Sequence, residues 1–274
     1  MRTGKRGTLI ACGVALQVAA LQVATLAVVA SPAHASDIGK DAPLAPVRPW
    51  VLQVTPYLWA SGLSGDLSPF RRAPTVGVDK SFSDILNDLD FGGFVNLWAR
   101  YDRFVLSGDV MYVHTTDGRT SGPLPIVGPV TGTLSSKEFT ASLQAGYRIV
   151  EAPLLTLDLL GGFRTWRISN TVSASAGPLA VSYGESFGWT DPVIGTRVFW
   201  RLTDRLSLMG QADVGGFGVG SRQTWQILGT ANYILSDHWS VSAGYKVLKV
   251  DYDSGGHVFN TTLHGPVFGV TYRF

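Results

Sequence analysis

The chain has 274 residues, a formal net charge of +2 and a single cysteine, Cys12. Arg2, Lys5 and Arg6 lie in an N-terminal segment that reads as a removable leader, and the remainder is slightly acidic, which excludes nucleic acid as a partner held by a basic surface. Cys12 leaves with the same segment, so disulfides, thiol catalysis and cysteine-ligated metals are excluded too.

Behind the basic start, Leu9 to Ala30 is almost wholly apolar, and Ala33-His34-Ala35 offers a small-residue exit. The pattern predicts a secretory signal peptide over residues 1–35, cleaved after Ala35. A retained membrane helix is the alternative for so long a run, and the strand-rich remainder weighs against it. Leu9-Ile10-Ala11-Cys12 imitates a lipoprotein box, but most of the apolar run follows Cys12 instead of preceding it. Residues 36–48 are polar, carry Pro43 and Pro46 and show no periodicity. They read as a flexible periplasmic lead-in to one domain over 49–274.

Alternation begins at Trp50. Trp50, Leu52, Val54 and Leu58 share one face and Gln53, Thr55, Tyr57 and Trp59 the other. A Gly- and Arg-containing loop follows, and Ser83 to Asp88 reads as a short helix capped by Ser83 or Ser81 with Asp84 in its first turn. That helix either folds into a barrel mouth or packs Ile85 and Leu86 beneath a loop. Alternating segments then recur, with tight polar connections near Asp102, Glu151, Thr203 and Ser236. Longer polar stretches at 115–129 and 169–190 read as loops, as does 61–80. Gly215 to Gly220 superficially imitates a phosphate loop, but it joins strand to strand, so glycines that let strands bend are the better account.

Short turns at one end and longer loops at the other fit an all-β transmembrane antiparallel up-and-down barrel of ten strands, with both termini periplasmic and one short helix in a loop. A strand at 74–82 would make the count odd, so that segment is placed in the first extracellular loop as a β extension. A twelve-stranded barrel needs a further strand near 124–134 and is the alternative. A soluble β-sandwich is the plain competitor.

The charges decide which face looks inward. Arg100, Asp109, Glu138, Arg148, Asp158, Arg164, Arg197, Asp213 and Lys246 all fall opposite the greasy face of their own strands. An Arg or Lys on lipid at mid-bilayer costs about 2–4 kcal/mol, so these residues are expected to line a lumen. There they either pair as a plug or border a narrow aqueous path with weak anion preference. Tyr101, Phe104, Tyr147, Trp200, Tyr233, Trp239, Tyr272 and Phe274 sit near strand ends on the apolar face, where interfacial girdles form.

The last strand alternates Phe268, Val270, Tyr272 and Phe274 with small or polar residues, and the chain ends on the aromatic. This resembles the C-terminal strand signature of bacterial outer-membrane barrels, and the resemblance implies recognition by the barrel-assembly machinery and passage with periplasmic chaperones. Pro56-Tyr57-Leu58-Trp59-Ala60, Ser81-Phe82-Ser83-Asp84-Ile85-Leu86, Ala212-Asp213-Val214-Gly215-Gly216-Phe217-Gly218 and Leu263-His264-Gly265-Pro266 together resemble an uncharacterised family of proteobacterial outer-membrane β-barrel proteins of porin-like type. The resemblance implies fold and outer-membrane location and carries no functional residue across.

No motif identifies a catalytic site, a cofactor or a metal. His114, His257 and His264 fall toward the extracellular ends of strands and His238 in a periplasmic turn, with Asp251, Asp253, Ser254 and Glu185 within conceivable reach, yet no spacing marks a nucleophile and base. The expectation is a non-enzymatic barrel in contact with outer-membrane lipids, either structural and loop-presenting or a narrow pore for small solutes. An outer-membrane lipid or peptide hydrolase and a surface ligand-binding or adhesion barrel are the alternatives.

Overall fold

The computed structural model describes residues 50–71, 73–121 and 129–274. The expected signal peptide, lead-in and part of the 115–129 loop lie outside the described residues. The elements are β1 (Trp50–Trp59), β2 (Gly62–Ser68), β3 (Val76–Lys80), α1 (Phe82–Asn87), β4 (Leu89–Tyr101), β5 (Phe104–Thr120), β6 (Val130–Glu151), β7 (Leu155–Ala176), β8 (Leu179–Arg201), β9 (Leu206–Gly215), β10 (Gln223–Ile234), β11 (Trp239–Ser254) and β12 (His257–Arg273). β1, β4 and then β5 to β12 pair antiparallel in order, and β12 pairs back to β1, closing a barrel of 10 strands.

Period-2 alternation produces this closure. Leu58, Phe163 and Phe268 are 68%, 63% and 54% exposed, whereas their chain neighbours Trp59, Arg164 and Val267 are buried. Around the end where β1 begins and β12 ends, which also carries the tight turns, Tyr101, Phe104, Tyr147, Trp200, Tyr233, Trp239 and Phe274 are exposed. Inward glycines let the strands coil closely. A Cβ at Gly162 would collide with the carbonyl of Leu143, and one at Gly244 with that of Gly229.

The chain departs from the barrel once. At Ala60–Ser61 the first strand breaks. Below the break, β1 sits between β12 and β4; above it, β2 takes the β12 edge and pairs on its other side with β3. The segment expected as a β extension is therefore this hairpin. No ladder joins β3 to β4 among the described residues. α1 bridges the two strands, starting at Phe82 and so one residue earlier than expected. Its cap is Ser81, whose Oγ accepts from the Asp84 N–H at 3.3 Å while the Asp84 carboxylate accepts from the Ser81 N–H at 2.9 Å.

The stretch at 169–190 is a correction. It is not a loop: β7 and β8, of 22 and 23 residues, continue through it to a two-residue connection at Gly177–Pro178. A membrane crossing takes about 9–11 residues of strand, so roughly half of this hairpin stands beyond the apolar belt. β11 and β12 likewise meet at Gly255–Gly256, both at positive φ (62° and 83°), a conformation glycine adopts without strain. β5 also continues to Thr120 and β6 begins at Val130, which shortens the expected 115–129 loop.

A layered lumen as the candidate functional site

Inward-facing positions change character along each strand. On β5 they run Ser107, Asp109, then Met111 and Val113; on β11 they run Ser242, Lys246, then Leu248, Val250 and Tyr252. The lumen is polar near the short turns, charged at mid-height and apolar above.

The lowest charges surround Trp98. Arg148 Nε donates to Asp158 Oδ1 at 2.8 Å, and both side chains are buried. The guanidinium carbons of Arg148 and Arg197 lie 5.9 and 5.5 Å from the Trp98 ring centroid, within cation–π reach. Arg100 stays at the rim, donating to the Asp102 carbonyl at 2.8 Å and standing 3.7 Å from Glu151.

Two clusters cross the barrel at mid-height. Arg164 Nη2, on β7, donates to both oxygens of Asp213 on β9 at 2.8 and 2.9 Å, and Nη1 reaches Thr224 Oγ1 on β10 at 3.3 Å. Gln226 Nε2 reaches the same carboxylate at 3.5 Å. On the other side, Lys246 Nζ of β11 donates to Tyr57 Oη of β1 at 3.1 Å, and Tyr57 Oη donates to Asp109 of β5 at 3.0 Å. Asn96 Nδ2 adds a bond to Asp109 at 3.2 Å, and Lys246 stands 3.5 Å from that carboxylate. Between non-adjacent strands such bonds pass only through the interior. Beneath them is a small polar chamber of about 70 Å³ lined by Thr55, Ser107 and Asn232 among others.

Above the charges the lumen divides. Where β9 and β10 end low, β8 and β11 approach each other and interdigitate aromatics. Trp166 stacks on Trp189 (5.6 Å, 11°), Trp189 on Tyr252 (4.0 Å, 13°), and Phe187 on His257 (4.2 Å, 12°). Asp191, fully buried beside this column, accepts from Trp189 Nε1 at 3.0 Å and from the Ser221 N–H at 2.6 Å, which anchors the β9–β10 loop. On the opposite side is an apolar cavity of about 370 Å³, walled by Leu63, Val78, Phe94, Met111 and Val113 and roofed by Ile85 and Leu86 of α1. Glu138 lines it and has neither a hydrogen bond nor an ion pair among the described residues.

Ionic latches hold the roof. Lys80 Nζ is 2.6 Å from Asp88 and 3.4 Å from Asp117, tying the β3 end and the α1 end to β5. Burial pulls the Lys80 ammonium pKa down, but the hydrogen bonds and charges of Asp88 and Asp117 outweigh it and leave the pKa above its ordinary value. Across the mouth, the Arg71 N–H donates to Glu185 Oε2 at 3.0 Å, and His257 Nε2 stands 3.3 Å from Glu185 Oε1. The Arg71 N–H is the main cause that holds the Glu185 carboxyl below its ordinary range, followed by an opposing effect of burial and the help of His257.

Among the described residues, the histidines lie in separate contacts. His114 Nε2 lies 3.0 Å from Ser135 Oγ and 3.4 Å from Asp90, so hydroxyl and carboxylate share one ring nitrogen, where a triad places them on opposite ones. His257 Nδ1 is buried without a partner. His264 Nδ1 meets Tyr245 Oη at 2.9 Å on the outer face, and His238 sits against Tyr272. In the terminal strand Phe268, Val270 and Phe274 are exposed and Tyr272 is half-buried, all on the outer face. Sequence reading did not find the upper lumen: Trp166, Ile168, Phe187, Trp189, Tyr252 and Phe259 are inward and buried or nearly so.

No family model matches this chain, and no curated protein matches it in sequence. Among solved structures it is similar to the outer membrane protease OmpT from Escherichia coli, at 12% identity and a TM-score of 0.50, over 84% of this chain and 99% of that one. The fold is that of the outer-membrane β-barrels. At this identity the likeness extends to fold alone. Weaker similarities are to the translocator domain of the autotransporter NalP from Neisseria meningitidis (14% identity, TM-score 0.45, 82% and 88% covered) and to the attachment invasion locus protein Ail of Yersinia pestis (13%, 0.30, 83% and 100%).

Proposed function

We propose that the chain is a non-enzymatic integral protein of the bacterial outer membrane whose lumen is closed to ions, so that its working part is the half of the barrel beyond the apolar belt. The observation that carries this is the pair of lumen-crossing clusters, Arg164–Asp213 at 2.8 Å and Lys246–Tyr57–Asp109 at 3.1 and 3.0 Å. Buried charges bound to one another across a small barrel fill the space a hydrated ion needs, and separating them costs several kcal/mol, about 3–5 for losing one partner. Export by the N-terminal segment and delivery by periplasmic chaperones to the barrel-assembly machinery fit the alternation of Phe268, Val270, Tyr272 and Phe274 on the outer face of β12. A hydrolase is disfavoured by the single-nitrogen arrangement at His114 and by the lack of a hydroxyl on His257. The test is single-channel recording of the refolded protein in planar lipid bilayers, with folding established by heat-modifiable gel mobility. A silent membrane is expected. Stable conductance steps, altered by neutralising Arg164 or Arg197, would replace this reading with a narrow pore.

A further inference from the structure

The apolar cavity under α1 is the feature the closed lumen leaves unexplained. Its volume of about 370 Å³ lies in the range of small-molecule sites, and its walls are apolar with a few polar groups at the margin. A cavity of this size lined by Phe94, Met111 and Val113 forgoes dispersion contacts that packing would supply, whereas the facing side of the same lumen is filled by stacked aromatics. The sheet has no ladder between β3 and β4 beside it, and the segment that covers this seam, α1, has no buried residue and leaves Phe82 and Leu86 exposed. A small apolar molecule therefore has a lateral route into the cavity that does not cross the charged floor.

The polar margin selects the head group. Asp88, Asp117 and Glu138 border the cavity against one cation, Lys80, and Lys80 is already engaged by both aspartates. Glu138 is left as an acceptor without a donor among the described residues. A ligand that brings an ammonium or another hydrogen-bond donor to Glu138 gains a charge-assisted bond. A ligand that brings a carboxylate meets excess negative charge and, among the described residues lining the cavity, no free cation.

We propose that this cavity is a binding site for an amphipathic amine, a small apolar molecule with a cationic donor head at Glu138 and its tail against Phe94, Met111 and Val113. The proposal rests on the closed-floor reading only in making the site blind, and binding is read separately from conductance, so either can fail alone. The three methionines provide the readout: Met111 lines this cavity and Met209 lines the lower polar chamber, while Met1 is at the N-terminus.

The experiment uses the full chain labelled with ¹³C-methyl methionine in lipid nanodiscs, titrated with dodecylamine, dodecanol or dodecanoate and followed by methyl NMR. Dodecylamine is expected to shift the Met111 methyl saturably and leave Met209 unmoved, with dodecanoate weaker by about tenfold or more. Glu138→Gln should bring the amine down to the affinity of the alcohol, and Val113→Phe, which fills the cavity, should abolish saturation by all. Heat-modifiable mobility checks that both variants fold. No saturable shift at Met111, equal shifts at both methyls, or dodecanoate binding as tightly as dodecylamine would each overturn the proposal.

Discussion

The two halves of the lumen fill the same narrow space by opposite chemistry. The lower half joins strands with charge pairs, Arg148 with Asp158, Arg164 with Asp213 and Lys246 with Asp109 through Tyr57, while Arg197 lies over the Trp98 ring with its Nη1 unbonded among the described residues. The upper half joins β7, β8, β11 and β12 with aromatic faces and leaves a void near β4 and β5. A charge pair is directional and fails if either member is lost. An aromatic stack is held mainly by buried face area, so its losses grade with the volume removed. The first chemistry suits a permanent closure and the second tolerates a vacancy.

Removing one member of a buried pair is the strongest way to break that contrast. Asp213→Ala leaves the Arg164 guanidinium, 2% exposed, without its carboxylate. The expected loss is about 3–5 kcal/mol in urea unfolding from lipid vesicles followed by tryptophan fluorescence. Replacing both, Arg164→Met with Asp213→Leu, should recover most of that loss, and failure to recover would mean the pair is not an isolated closure. In the upper half, Trp189→Ala removes the centre of the stack between Trp166 and Tyr252, with an expected cost of about 3 kcal/mol in the same assay. The companion test is Phe94→Leu at the cavity wall, which should cost about 1 kcal/mol or less because the wall already borders empty space.

The same contrast explains what could be read in advance. Charges opposite a greasy face are costly on lipid, so the lower lumen stood out in the sequence: Arg148, Asp158, Arg164, Asp213 and Lys246 were each identifiable from one strand's alternation. Which charge meets which was not, because pairing depends on barrel closure. The upper lumen was invisible for a different reason. Beyond the apolar belt the outside meets water, so the pattern inverts from apolar-out to apolar-in. On β7 the exposed Leu159 and Phe163 give way to inward Trp166 and Ile168; on β11 the exposed Tyr245 gives way to inward Leu248, Val250 and Tyr252. A reader following one phase sees polar residues at 169–190 and concludes a loop. The change of phase itself was the available signal, since it marks where lipid ends.

The roof carries the smallest effects. Ser81→Ala removes the N-cap of α1, and a loss of about 1 kcal/mol in local stability is expected, read as faster amide exchange at Asp84 and Ile85 with no change in global unfolding. The latches then answer to pH in opposite directions. Lys80 has its folded pKa raised, so its contribution is complete below the unfolded value of about 10.4 and is lost as pH rises through the folded one. Glu185 has its folded pKa lowered, so its contribution is present above about 4.3 and is lost as pH falls through the folded one. Lys80 is partly exposed, which holds its share to under about 1 kcal/mol. Unfolding of Lys80→Gln compared with the unaltered chain should differ at neutral pH and converge as pH rises through the raised folded pKa of Lys80. Glu185→Gln should differ at neutral pH and converge on acidification. If Lys80→Gln differed equally across that range, the latch would be packing of the lysine stem against the cavity rim and not its charge, and the roof would belong with the apolar half of the molecule.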